Sequence, residues 1–226
     1  RKRGHHIVLP ESGRVACGDD GQGKRADIWD IYLATLRALS PQDMAGKTVL
    51  VTLGPTRELW DGVRCWTNLS TGRMGSCVVE AAYLRGARVI ALAGPGVPRL
   101  PAPVERHDVT SAMDMFTAAK AMWPQADIGV FTAAVADFHP VAQGQGKFKK
   151  QNAGETVHVE FSANPDILAT LSASRSAGQK VVGFAAETSD LETHVTDKLQ
   201  RKKTDMMVGN LVGVAGSGFA GSQNTV

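Results

Sequence analysis

The chain has 226 residues, of which 43% are hydrophobic, 21% charged and only 6% aromatic, a composition that excludes wholesale disorder. No apolar run approaches the roughly 20 residues of a membrane helix. A formal charge of +3 is too small to argue for nucleic acid, which is met by a concentrated basic stripe. The basic start, RKRGHH, leads into no signal-peptide core, and without an initiator Met residue 1 is expected to lie inside a longer gene product. Three cysteines, Cys17, Cys65 and Cys77, have no CxxC spacing and cannot all pair, which fits a reducing, cytoplasmic setting.

In chain order, residues 9–25 are rich in glycine and charge, lack any period and are expected to form loop. An amphipathic helix is predicted over 27–39, with Ile28, Ile31, Tyr32 and Leu36 on one face. Ser40-Pro41 ends it, because the residue before proline disfavours helical backbone. A boundary near Met44 divides the chain into an appendage, 1–45, and a main domain, 46–226.

From Lys47 onward strands alternate with helices. Strands are predicted at 48–53, 88–93, 104–108, 127–132, 180–184 and 205–208, and helices at 72–85, 111–122 and 191–203, with Ser111 or Thr110 capping the second. Asn164-Pro165-Asp166 reads as N-cap, first-turn proline and first-turn acid of a further helix. Unbroken apolar strands between amphipathic helices indicate a parallel sheet covered on both faces, so the expected class is α/β, a Rossmann-like doubly wound, mostly parallel sheet. Residues 138–163 interrupt it with a Gly/Lys-rich flap and the strand-like run 156–161, expected to form a hairpin over the site.

In such folds ligands sit beyond the carboxyl ends of the strands, so the residues there are the candidates. After the first strand come Gly54-Pro55-Thr56-Arg57-Glu58 and then Asn68-Leu69-Ser70-Thr71-Gly72-Arg73-Met74-Gly75. Gly72 and Gly75 open a helix and either face an anion with backbone N–H groups or serve close helix–sheet packing; the amide and hydroxyls before them favour a ligand. After the fourth strand, the small residues Ala133 to Ala136 admit a ligand to the backbone, and Asp137 either holds it or makes a turn. Lys147 lies on the glycine-flanked flap, where a cation could close over a phosphate. Lys198 and Lys202 share a helix face, and spacing alone suits a solvated helix end as well as a polyphosphate.

Only Gly72-x-x-Gly75 remains of a GxGxxG fingerprint, and Ala93-Gly94-Pro95 stands where the ribose-holding acid is expected, so a nicotinamide site is the inferior reading. Gly144-Gln145-Gly146-Lys147 lacks the strand–loop–helix context and following hydroxyl of a Walker A loop. No histidine pairs with Cys or Glu at a metal-ligand spacing, and Cys65 and Cys77 are expected to be buried packing thiols.

Six segments, at 54–58, 68–75, 133–138, 147–150, 164–167 and 183–188, occur in the order of one family. Over about residues 46–226 the chain resembles phosphopantothenate–cysteine ligase, also called phosphopantothenoylcysteine synthetase. Residues 7–25, with Pro10-Glu11-Ser12-Gly13 and Ala16-Cys17-Gly18-Asp19, resemble the end of phosphopantothenoylcysteine decarboxylase, which bacteria fuse ahead of the ligase in a bifunctional coenzyme A biosynthesis protein.

The resemblance implies that CTP, with Mg²⁺, activates 4′-phosphopantothenate as an acyl-cytidylate, from which cysteine displaces CMP. By matching position, Asn68 and Lys147 are the catalytic residues, with Lys147 also at the nucleotide. Asp137, Asn164, Pro165, Asp166, Ile167, Phe184, Lys198 and Lys202 correspond to CTP contacts, and Ala134 lies by the reacting centre. Gly54, Ser70, Gly72 and Gly75 form the phosphate or substrate loop. Cys17 matches the decarboxylase cysteine, but the FMN-binding body is not part of the sequence, so no decarboxylation is expected from this chain alone. A homodimer within a larger homo-oligomer is implied, with no nucleic-acid or membrane partner.

The family continues past its Gly-Phe-x-x-x-x-Asn stretch, here Gly218, Phe219 and Asn224, so the end at Val226 is expected to be a truncation. Leu53, Trp60 and Trp66 also depart from the pattern around the first motif. The competing readings are an NAD(P)-dependent Rossmann oxidoreductase and an inactive nucleotide-binding remnant.

Overall fold

The computed structural model describes residues 5–14, 18, 20–142, 144, 146–149, 151, 154–213 and 226. Cys17, Lys150 and the Gly218, Phe219, Asn224 motif lie outside the described residues.

Six strands form the central sheet: β3 (Thr48–Leu53), β6 (Arg88–Ala93), β7 (Glu105–Asp108), β8 (Ile128–Phe131), β11 (Lys180–Glu187) and β12 (Met206–Leu211). Their spatial order is β12-β11-β8-β3-β6-β7, and every pairing is parallel. Renumbered by occurrence, this is the order 3-2-1-4-5-6 of a doubly wound sheet, whose winding reverses between β3 and β8.

The period-2 alternation of the strands divides the core into two layers. Val49, Val51 and Leu53 of β3, with Val89, Ala91 and Ala93 of β6, pack beneath α2 (Arg73–Leu84) and Leu33 of α1 (Ile28–Leu39). Leu50, Ile90, Leu92 and Val181 face the other way, against α3 (Ala112–Met122) and α4 (Ile167–Ala173). On that face too, α5 (Leu191–Lys202) seats Val195 and Leu191 over Gly209 of β12, where a Cβ would come within 2.4 Å of Val195.

Helix ends follow local chemistry in two cases and tertiary demand in a third. Ser111 caps α3 in a full capping box with Asp114, and Asp27 caps α1 through the Trp29 N–H at 2.8 Å. At α4 the cap is Asp166, which accepts from the Ala169 N–H at 2.9 Å, and not Asn164 as the sequence suggested. The Asn164 side chain is taken instead by the Ala136 carbonyl and His139.

Four further expectations change. Residues 9–25 are not wholly loop, since β1 (Glu11–Arg14) pairs antiparallel with β2 (Asp20–Lys24). The helix at 28–39 buries Leu33, while Ile28, Ile31 and Tyr32 are exposed; apolar residues surround this helix, so periodicity could not choose the face that docks. The inserted hairpin pairs β9 (Phe138–Pro140) with β10 (Phe161–Ala163), so 156–160 lie outside the strand. Finally, a short hairpin of β4 (Arg57–Leu59) and β5 (Cys65–Thr67) projects from the site, and Cys65 and Cys77 are exposed rather than buried.

Candidate functional site

The site is built on the reversal point between β3 and β8. Their pairing runs past the strand ends: the Ala134 N–H donates to the Gly54 carbonyl at 2.9 Å, with a bridge between Pro55 and Ala134. Gly94, after β6, donates to Leu53 at 2.9 Å, and a Cβ there would lie 1.9 Å from the Pro55 oxygen, so only glycine fits. Gly72 enters α2 with φ +70°, against Val97. Ser70 and Thr71 hydroxyls accept from the N–H groups of Gly72 and Arg73 at 3.3 and 3.5 Å. The start of α2, with Gly75 pressed onto β3, thus stands directly behind the Gly54 turn.

Thr56, fully buried, accepts from the Ala136 N–H at 3.1 Å, while its carbonyl accepts from the Thr67 hydroxyl at 2.6 Å. Asn68 follows, exposed at the head of the loop, and its amide donates to the carbonyls of Val135 at 3.0 Å and Ala134 at 3.4 Å. Behind the loop, the Asn164 amide donates to the Ala136 carbonyl at 2.8 Å and its backbone N–H to Asp137 at 2.8 Å. The segment 133–137 is therefore pinned from both sides, and Ala133, Val135, Ala136 and Asp137, but not Ala134, line a cavity of about 280 Å³.

Asp137, Asn164, Pro165, Asp166, Ile167, Phe184 and Lys202 line that cavity together with Thr52, Phe131, Ala133 and Val135. Lys202 reaches it from α5 and pairs with Asp166. Lys198, one turn earlier, bonds the Glu187 carboxylate at 2.5 Å, and His194 approaches the same carboxylate at 3.2 Å. These three residues line a second, open groove. Lys147 is exposed and is not among the residues lining either space. Gly54, Ser70, Gly72 and Gly75 do not line them either, and connect to the cavity through the Asn68 contacts.

Two buried carboxylates organise the site, Glu58 of the first motif and Asp61, which the sequence did not single out. Glu58, buried, accepts from the Ala112 N–H at 2.9 Å, holding β4 to the start of α3. Asp61, also buried, sits in the β4–β5 turn beneath the flap. Burial pushes its carboxyl up, but the backbone N–H groups of Phe148, Val63 and Arg64, with the Arg64 guanidinium, outweigh that and hold it down to about 2. The Asp61-x-x-Arg64 spacing was a turn signal available in the sequence; its use to bind residue 148 was not.

A doubly wound α/β domain with a pocket at its topological switch point is a small-molecule or nucleotide-binding architecture. Residues 44–226 match the family described as the DNA/pantothenate metabolism flavoprotein C-terminal domain, and the chain belongs to that family. Its relatives include coenzyme A biosynthesis bifunctional proteins CoaBC: 38% identical in Vibrio vulnificus over 100% of the chain and 56% of the relative, and 39% in Bacillus subtilis over 99% and 55%. The chain thus spans about half the length of the curated relatives it matches. Among solved structures, a C-terminal domain of CoaBC is 38% identical with a TM-score of 0.64, covering 76% of this chain and 80% of that one. A Cab2 variant in complex with phosphopantothenate-cysteine shares the fold, at TM-score 0.64 and 18% identity, covering 81% of this chain and 77% of that one.

Proposed function

We propose that this chain performs CTP-dependent ligation of 4′-phosphopantothenate to cysteine, as a cytoplasmic step of coenzyme A biosynthesis. A carboxylate is a poor electrophile and must first be activated. Its oxygen attacks the α-phosphorus of CTP and pyrophosphate departs, leaving an acyl-cytidylate. The cysteine amine then attacks the acyl carbon, CMP departs, and an amide forms.

The observation that carries this reading is the convergence of Asp137, Asn164 to Ile167, Phe184 and Lys202 on one cavity at the switch point. The family membership and the CoaBC relatives support the pathway. In this reading Phe184 and the 164–167 turn receive the nucleoside, while Lys198 and Lys202 exchange Glu187 and Asp166 for phosphate oxygens. Asn68, fixed on the carbonyls of residues 134 and 135, orients the acyl group, and Lys147 neutralises charge as the intermediate forms. The turn from Ser70 to Gly75 serves the phosphate of the second substrate. Among the described residues no three His, Cys, Asp or Glu side chains converge into a metal site, and in this reading Mg²⁺ enters with the nucleotide. Residues 1–45 are read as the tail and linker of a decarboxylase whose FMN lies elsewhere. A homodimer of the ligase domain, within a larger homo-oligomer, completes the reading; exposed Trp66 and Phe161, their rings 5.0 Å apart, provide apolar surface for it.

The test is to mix the protein with Mg²⁺, CTP, 4′-phosphopantothenate and cysteine, and to measure pyrophosphate and amide. Substrate-dependent release of both is expected, and about a hundredfold or greater loss of amide formation in Asn68→Asp and Lys147→Gln. CTP binding without turnover would leave an inactive remnant, and wild-type rates in both variants would overturn the assignment of these residues.

A further inference from the structure

The flap that carries Lys147 has a docking point outside the cavity. Its residues 146–148 lie against the β4–β5 turn: the Phe148 N–H donates to Asp61 Oδ2 at 3.0 Å, and the Arg64 guanidinium donates to the Phe148 carbonyl at 3.3 Å. The Gly62 N–H approaches the Gly146 carbonyl at 3.5 Å. The Phe148 ring lies 5.1 Å from Trp60, and the Arg64 guanidinium lies 5.6 Å from the Trp60 ring centroid. Both residues flanking Lys147 are therefore engaged by one turn, and the Lys147 side chain is left exposed between them.

Asp61 divides its two oxygens between two tasks. Oδ1 accepts from the Val63 and Arg64 N–H groups at 2.7 and 2.6 Å, which closes the turn. Oδ2 accepts from the Phe148 N–H and from the Arg64 side chain, which holds the flap. A fully buried carboxylate with one oxygen given to a segment 87 residues away is more than a turn former needs. We infer that Asp61 is a positioning residue for the ligation, anchoring the flap at Phe148 so that Lys147 is presented to the nucleotide. The inference rests on the proposed function for its catalytic half and on geometry alone for the docking.

Asp61→Asn separates the tasks. The amide oxygen can keep the turn, but the NH₂ then confronts the Phe148 N–H, donor against donor. Phe148→Ala removes the Trp60 contact instead and leaves Asp61 intact. Limited trypsinolysis of the whole chain, followed by mass spectrometry at the bonds after Lys147 and Lys149, reads the docking. Cleavage there, measured well below each variant's melting temperature, is expected to rise about tenfold in both variants; unchanged cleavage in both would overturn the docking. Pyrophosphate release reads the consequence: kcat should fall with KM for CTP little changed, and Asp61→Asn combined with Lys147→Gln should be no slower than Lys147→Gln alone. If the two losses multiply, Asp61 does not act through Lys147 and the positioning role is refuted. A wild-type chain without ligase activity would refute the functional reading and with it the catalytic half, while the cleavage result still decides whether Asp61 holds the flap.

Discussion

Substituting Gly75 by alanine sets two effects of known size against each other. Gly75 lies in the first turn of α2, where alanine gains about 1 kcal/mol in helix propensity over glycine. Against this, the new Cβ would lie 2.3 Å from Thr132 Oγ1 and 2.4 Å from Leu53 Cβ. Ordinary carbon contacts begin near 3.5 Å, so roughly 1 Å of separation must be created between helix and sheet. Neither neighbour yields easily: Leu53 is fully buried in β3, and the Thr132 hydroxyl is tied to the Thr52 carbonyl at 2.8 Å. Overpacking costs about 1–3 kcal/mol, and two fixed neighbours place this case at the upper end. The net loss is then about 2 kcal/mol, or about 4–8 °C in melting temperature for a domain of this size. Thermal unfolding by circular dichroism measures it, with Cys77→Ala on the exposed side of the same helix as a near-neutral control. A Gly75→Ala melting temperature at or above wild type would refute the reasoning, because α2 would then not be locked to β3 at its first turn.

Two other outcomes follow from contacts described above. Arg37 reaches from α1 to the carbonyls of Tyr83, Gly86 and Ala87 at the end of α2 and lies 4.4 Å over the Tyr83 ring. Arg37→Ala should cost about 1–2 kcal/mol and speed hydrogen exchange in Ile28–Leu39 while leaving β3 protected; unaltered exchange in that helix would contradict its role as the clasp. For Asp61, the native value near 2 lies below the ordinary 3.8, so its contribution is complete above pH 4 and is lost as pH falls from about 4 towards 2. Pepsin cleavage around Phe148 should rise across that window in wild type, whereas Asp61→Asn should already be high at pH 4; parallel profiles would exclude Asp61 as the acid-sensitive latch.

The central sheet was legible because its inner strands β3, β6 and β8 are apolar runs followed by glycine or small residues. Thr48–Leu53 and Arg88–Ala93 form as the sequence indicates, and the Ser111 cap carries its full local signature. Reading past the strand ends brought residues 133–137 forward, whereas 164–167 read locally as a helix start and came forward only through the family resemblance. What was not legible depends on distant partners. Asn164 has every local mark of a helix cap, yet Ala136 and His139 claim its side chain and Asp166 takes the cap. Leu33 rather than Ile28 or Tyr32 enters the core because α2 and Arg37 fix how the helix lies. The β4–β5 hairpin has three-residue strands, too short for a periodicity to register, although it holds the flap.

The helix that supplies Lys198 and Lys202 has no fully buried residue. Its attachment to the rest of the molecule combines the Val195–Leu191 seat on Gly209 with two charge pairs, Lys198 to Glu187 and Lys202 to Asp166. A helix fastened in this way responds to ionic strength, since added salt weakens partly exposed charge pairs far more than it disturbs an apolar core. The sheet therefore has a firm half, β7 to β8, and an edge at α5 and β12 whose hold loosens as the surrounding electrolyte thickens.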